Sequence, residues 1–512
     1  MRLPLLSIVT FLPLIGIAVI LLLKPLRRES DTAVRRIAFT TTIVTFIGTI
    51  IILLAYNPDI ASLQMADRVA WIPSWGISYF MGVDGLSILF VMLTSFIMML
   101  AVYASFNAIM TQVKGYYIFM LLLEIGMLGV FLAQDLFLFY VFWEFTLIPM
   151  YFLIGIWGGE RRVYASIKFF LYTMAGSLLM LLAILYMGTT NQTFALPELI
   201  DGRAAFAGVQ NILFIGFFIA FAIKVPVFPF HSWLPDAHTE APTAGSIILA
   251  GVLLKMGTYG FTRFNLPLFP EASNTYAPFI AVLAIIGIIY GAIVSFPQKD
   301  VKKLVAYSSI SHLGFVTLGI FALNNAGIQG GILQGVNHGI STGALFFMVG
   351  ILYEQRHTRK MSDYGGVWKV MPVFTILSLI VVLSSMGLPG LNGFVGEFTI
   401  LLGSMGSDAL TPRPWIYTAF ATSGVILAAV YLLWMFQRVM FGPLDNPENQ
   451  KLTDLNLREI LVFLPLLIMM LVMGVYPQPF LSRMEPSVEA FVQRVEPYLE
   501  SDDSHGGHHL AA

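Results

Sequence analysis

Apolar runs of about twenty residues, separated by short polar segments, fill the chain from residue 4 to residue 476. A helix of about that length crosses the hydrocarbon core of a bilayer. The pattern predicts spans at 4–24, 36–56, 83–106, 115–133, 136–156, 165–188, 210–230, 243–264, 276–296, 303–323, 328–352, 372–402, 416–440 and 458–476. Two of these are interrupted. The seventh runs into FAIKVPVFPFHSWLPDAHTEAPTAGSIILAGVLL, residues 221–254, which carries Pro226, Pro229, Pro235 and Pro242. Each proline removes an N–H and clashes with the preceding turn, so the helix must break. The twelfth carries Met386-Gly-Leu-Pro-Gly390. Broken backbone at membrane depth is tolerated only where it is buried in protein or lines a water-filled cavity. Gly82, Asp84 and Gly85 open the third span, with Asp84 as its candidate N-cap.

The fold class is therefore an all-α polytopic membrane protein of about fourteen transmembrane helices. A weak internal repeat organises it. Gln134-Asp135-Leu136 precedes a span ending Tyr151-Phe-Leu-Ile-Gly155, and Lys299-Asp300-Val301 precedes one ending Phe315-Val-Thr-Leu-Gly319. Lys168 before Thr173 is echoed by His338 before Thr342, and the broken seventh span by the broken twelfth. Each unit has an odd number of spans, so the two five-helix repeats lie inverted in the membrane. Paired interrupted helices in two such halves point to a transport site. The expected organisation is a three-helix segment (1–110), a first repeat (111–265), a second repeat (274–440), a last span with its flanks (441–499) and a tail (500–512). The tail, ESDDSHGGHHLAA, reads as a solvated disordered end, and nothing in it supports a metal role for His505, His508 and His509. Leu5 to Leu23 is too long for a signal-peptide core and lacks a small-residue cleavage site, so it reads as the first span.

Composition agrees: 57% hydrophobic and 11% charged residues, with a mean hydropathy of +0.81. A net charge of −1 implies no nucleic-acid partner. The absence of cysteine excludes disulfides, thiolate iron–sulfur clusters and cysteine-ligated zinc. Of the 28 lysines and arginines, eighteen fall in loops on one side and seven on the other. By the positive-inside rule this fits an even number of spans with both termini outside.

An ionisable residue inside a span is costly and is by default a functional-site hypothesis. Glu144 lies mid-span in YVFWEFTLIPM, too deep to reach either surface, and needs a partner; Lys224 or Lys168 is the natural one. Lys224 stands at the break of the seventh span, where a buried lysine readily shifts its pKa. Lys255 is central in AGVLLKMGTYG. Lys168 and Glu124 lie nearer their span ends, in a proton path or in packing pairs. His312 (SSISHLGF) and His338 (GVNHGISTGALFF) are set among serines and threonines, which suits a proton relay; a core histidine and a bis-histidine haem pair are the competing readings. Glu397, in GFVGEFTILLG, follows the second break and is placed to end the row. His231, Asp236 and His238 line an access route or cap broken helix ends. Asp135, Asp300, Lys302 and Lys303 read as interfacial, topological charges. Together these groups form a mid-membrane row suited to stepwise proton movement. No phosphate-binding glycine loop is present.

The stretch VPVFPFHSWLPDAHTEAPTAGSIILAGVLLKMGTYG resembles the core signature of the antiporter-like membrane subunits of respiratory complex I, NADH:quinone oxidoreductase. The resemblance covers nearly the whole chain. LLKMGTYGFTRFNLPLFP and LPGLNGFVGEF look most like the M-type branch, equivalent to mitochondrial chain 4. L- and N-type subunits have lysine where Glu397 stands, and the chain ends without the long lateral helix of the L type. The resemblance implies a proton-translocating subunit with no redox cofactor of its own; flavin mononucleotide, iron–sulfur clusters and quinone belong to other subunits. It implies that Glu144 and Lys224 form a modulating pair, that Lys255 is the central proton site, that His312 and His338 continue the path, and that Glu397 serves the exit half-channel. It implies L-type and N-type neighbours in an inner membrane, with both termini on the periplasmic side. The related alternative is a subunit of a multi-subunit sodium/proton antiporter.

Overall fold

Backbone groups in hydrocarbon must be satisfied within the segment, which makes apolar runs helical. The computed structural model describes residues 4–23 and 27–498; the tail 500–512 and its three histidines lie outside them. Among the described residues, eleven helices are long and apolar enough to cross a membrane. They include α1 (Leu5–Leu22), α2 (Arg27–Ala55), α4 (Val113–Leu132), α5 (Leu136–Trp157) and α6 (Arg162–Asn191). The three remaining expected spans are also helical: α3 (Ile88–Ala104), α10 (Val301–Ile320) and a broken α12 (Pro372–Ser385, then Asn392–Met405). The seventh breaks as expected, into α7a (Gln210–Lys224) and α7b (Trp233–Glu240). α8 (Thr243–Leu268), α9 (Pro270–Ser295), α11 (Asn325–Arg356), α13 (Pro414–Met440) and α14 (Leu457–Val475) complete the set.

The repeat has a structural counterpart. Asp135 accepts from the backbone N–H groups of Phe137 and Leu138 and so caps α5. Asp300 caps α10 in the same way, through Lys302 and Lys303. Each aspartate also bridges to the segment that follows the next helix, Asp135 to Ala195 and Asp300 to Lys360. Asp135 lies at the end of the bundle poor in basic loops and Asp300 at the end rich in them, as inversion requires. Both were expected to be topological charges; both are helix caps, and Asp135 is fully buried.

Two elements were not expected. A hairpin of β1 (Gln64–Ile72) and β2 (Ile77–Val83) precedes α3, so the fold is not helical throughout. An amphipathic helix, α15 (Gln478–Val495), follows α14. Both lie at one end of the bundle with the start of α1: Ser7 donates to Asp67 of β1 at 2.9 Å, and the Gly85 N–H donates to Ser487 of α15 at 3.0 Å. The N-cap position of α3 falls to Ser87 rather than the expected Asp84, which accepts from Leu86 N at 3.0 Å in the turn before the helix. The larger role of Asp84 is a buried two-pronged ion pair with Arg263 of α8, one prong at 2.7 Å. Removing one member of such a pair strands the other charge and costs about 3–5 kcal/mol. The pair fastens the N-terminal segment to α8.

α8 is buried along its whole length. It widens into π-helical turns at Leu249–Leu253 and Phe261–Asn265, on either side of Lys255. Such turns are common at functional sites. Within the first of them α8 crosses α11 at Gly251 and Gly339. A Cβ on Gly339 would lie 2.6 Å from the carbonyl of Gly251. The small pair lets the two backbones approach closely. One turn on from Gly251 is Lys255, and next to Gly339 is His338.

Candidate functional site in the membrane interior

That crossing delivers the first contact of the site. The Lys255 Nζ lies 2.6 Å from the His338 Nδ1 and also donates to the carbonyl of Ala250. That carbonyl belongs to the widened turn. Lys255 is fully buried and His338 nearly so. The His312 ring on α10 lies 5.9 Å from that of His338. Its Nδ1 meets the Glu397 carboxylate at 2.9 Å. Gln334 donates to the same carboxylate oxygen at 3.1 Å, and the Tyr431 hydroxyl of α13 stands 3.3 Å from the His312 Nε2. Both His312 nitrogens are thus engaged.

The break in α12 makes room for Glu397. Asn392, first residue of the second half, is bonded by Ser384 of the first half at 2.5 Å, and its carbonyl accepts from Asn337 of α11 at 2.7 Å. The chain turns at Gly387, whose φ of +79° lies in the left-handed region that favours glycine. A Cβ there would sit 3.0 Å from the Glu397 carboxylate. The glycine both makes the turn and leaves the carboxylate its place.

The other end of the row is at the α7 break. Lys224 closes α7a, where the carbonyl end of the helix dipole favours a cation. Its ammonium is fully buried, has no hydrogen-bond partner among the described residues, and lies 5.2 Å from the Trp143 ring and 5.6 Å from that of Phe169. The indole of Trp233 donates to the Ile223 carbonyl at 2.8 Å, satisfying an acceptor that the break frees. Glu144 is half-buried at a joint in α5, where Leu136–Phe145 gives way to Leu147–Trp157. It makes no direct ion pair: Glu144 and Lys224 act on each other through their fields without touching. Lys168, the other expected partner, is instead bound to Asp236 at 2.7 Å and to the Ser232 carbonyl at 2.9 Å, tying α6 to α7b. Of the two expected partners of Glu144, Lys224 is the one that acts on it, and Lys168 is taken by the broken helix instead.

The structure therefore joins Lys255, His338, His312 and Glu397 and sets Glu144 and Lys224 beside one another at the far end. It leaves three expected members apart: Lys168, held by Asp236, and Glu124 and His231. Glu124 on α4 is fully buried with neither carboxylate oxygen bonded. His231 packs on Phe228 and on Tyr290 of α9, with ring centres 5.5 and 5.0 Å away. Lys302, expected as a topological charge, is buried and donates to the Ala241 carbonyl at the start of α8. Gln334, Asn337, Asn392 and Tyr431 were missed. The first three lie within a few residues of the motifs, but amides carry no titration signal; Tyr431 lies in an ordinary apolar run. His238, left open between access and capping, is fully buried with neither nitrogen bonded, and stacks on Phe346 at 4.4 Å.

Chemically the arrangement is a line of groups that take and give protons, enclosed by apolar helices. One hydrogen bond links Lys255 to His338 and another links His312 to Glu397, and each is a contact across which a proton can pass. The two rings stand 5.9 Å apart between centres, and a proton passing between them would need a bridging water or a ring rotation.

A helical membrane bundle with two broken helices and a buried cationic, imidazole and carboxylate row defines an ion-translocating class of protein. Residues 133–426 match the transmembrane family of NADH:quinone oxidoreductase and Mrp antiporters, and the chain belongs to that family. It is 46% identical over 505 residues to NADH-quinone oxidoreductase subunit M of Rhodobacter capsulatus, covering 96% of each chain. It is 42% identical to NADH-ubiquinone oxidoreductase chain 4 of Marchantia polymorpha, covering 95% of this chain and 97% of the other. A chain of respiratory complex I from Thermus thermophilus with bound NADH superposes with a TM-score of 0.85 at 33% identity, over 96% of this chain and 99% of that one.

Proposed function

We propose that the chain is the M-type proton-translocating membrane subunit of an NADH:quinone oxidoreductase. Protons move along Glu144, Lys224, Lys255, His338, His312 and Glu397, driven by quinone reduction in other subunits. The observation that carries this reading is the buried row itself, bonded at 2.6 Å between Lys255 and His338 and at 2.9 Å between His312 and Glu397. Glutamate at 397, in place of lysine, fits the M type. Flavin, iron–sulfur clusters and quinone are placed in other subunits. The neighbours are the L-type and N-type antiporter-like subunits. Support for a neighbour comes from α5, where half-buried Glu144 shares a face with exposed Val141 and Ile148. A carboxylate facing lipid is costly, so a partner that covers this face and offers a polar or cationic group relieves it. In this reading the basic end faces the cytoplasm and both termini lie on the periplasmic side of an inner membrane, which the loop charges support.

The test uses membrane vesicles that contain the assembled complex, with NADH as donor and choline in place of sodium. Acidification of the vesicle lumen is expected to persist without sodium and to be mostly lost in Lys224→Ala, with assembly on a native gel unchanged. Dependence on sodium favours the cation/proton antiporter alternative. Full pumping in the variant contradicts the place given to Lys224.

A further inference from the structure

An open-sided groove of about 750 Å³ lies between α9 and the start of α13, on the outside of the bundle and away from the buried row. Val282, Ile286, Ile289 and Ile293 form one wall, and Ile416 and Phe420 form the other. Val282 is 43% exposed, Ile293 56% and Phe420 55%. From Val282 to Ile293 the groove runs about 16 Å at helical rise. One end alone is charged. Arg413, the residue before α13, lines the groove there, and its guanidinium has no hydrogen bond or ion pair among the described residues. Thr411 beside it is already bonded, to the Asp408 carbonyl at 2.8 Å.

We propose that this groove is a binding site for one anionic phospholipid, with an acyl chain along the apolar walls and the phosphate on Arg413. The groove is narrow and apolar with a single charged end, which suits one acyl chain and its headgroup. A volume of 750 Å³ falls in the range of about 300–1,000 Å³ that holds a single small ligand. Charge decides the headgroup. A guanidinium matches a phosphate with paired hydrogen bonds and draws anionic lipids over neutral ones. The site also touches the broken helix. Tyr290 lines the groove and packs against His231 and Phe228 in the α7 break, at 5.0 and 5.4 Å. A seated chain therefore backs the irregular segment 225–232 on its membrane side. This inference does not rest on the proton-path reading.

The experiment adds phosphatidylglycerol with a photoreactive acyl chain to membranes holding the complex, followed by purification and peptide mapping. Adducts are expected within 282–293 and 410–420, several-fold above those from the matching phosphatidylcholine probe. Ile286→Trp, which fills the groove, should abolish them. Arg413→Gln, at a surface position, should leave weak labelling without headgroup preference. Labelling spread over the whole apolar surface, equal labelling by both lipids in the unaltered chain, or crosslinking of these residues to a neighbouring polypeptide would each overturn the proposal.

Discussion

Glu397→Gln is expected to lower NADH-driven proton translocation by roughly a hundredfold, the smaller end of what losing a positioned acid or base costs. Quinone reduction should fall with it if the two are tightly coupled. The side chain keeps its size and its hydrogen bond from Gln334, so the carboxylate can be lost without a cavity. What disappears is the group that accepts and returns a proton at His312 Nδ1, 2.9 Å away. Glu397→Asp restores the chemistry with a shorter reach and should recover part of the rate, which a purely structural role does not predict. The measurement is dye-monitored acidification in vesicles, normalised to complex content on a native gel. Wild-type pumping in the glutamine variant would remove Glu397 from the path.

Lys255→Met is expected to have an effect at least as large. The lysine is the only group that meets His338 Nδ1 among the described contacts, and it sits between two widened turns that give its ammonium the Ala250 carbonyl. Methionine matches its length and is apolar, so the buried site of α8 gains no unsatisfied charge. Assembly should be normal while pumping is lost. Arginine is no rescue: its fork is larger and it does not release a proton in this range. Coupled NADH oxidation and acidification, measured together, check the expectation. An unchanged ratio and rate in Lys255→Met contradict the central placing of this residue.

Much of this was legible in the chain. Prolines 226, 229, 235 and 242 announced the break in α7, and Leu388-Pro-Gly390 the break in α12, because each proline states a local backbone constraint. The mid-span charges named the row, because burial of charge needs a reason. What the sequence did not show is pairing. Lys168 and Lys224 look alike as partners for Glu144; only the packing of α6 on α7b reveals that Asp236 and the Ser232 carbonyl take Lys168. The polar supports of Glu397 were invisible for a related reason: Gln334 and Tyr431 are ordinary helix residues until α10, α11 and α13 meet. Asp135 and Asp300 looked like loop charges because capping depends on a backbone that starts its helix one residue later. The hairpin at 64–83 was hidden by its length, since strands of nine and seven residues give a weak alternation beside spans of twenty.

In the proposed path protons pass from the Lys255 site to the Glu397 site through the two histidine rings. His338 is the junction, bonded to Lys255 and 5.9 Å from the His312 ring. The measurement is NADH-driven acidification of vesicles carrying His338→Gln, with assembly verified. Glutamine keeps a polar side chain near Lys255 but cannot carry a proton through a ring. An assembled complex that pumps at a small fraction of the normal rate is expected. Full pumping by that assembled variant would contradict it and move the path off the row.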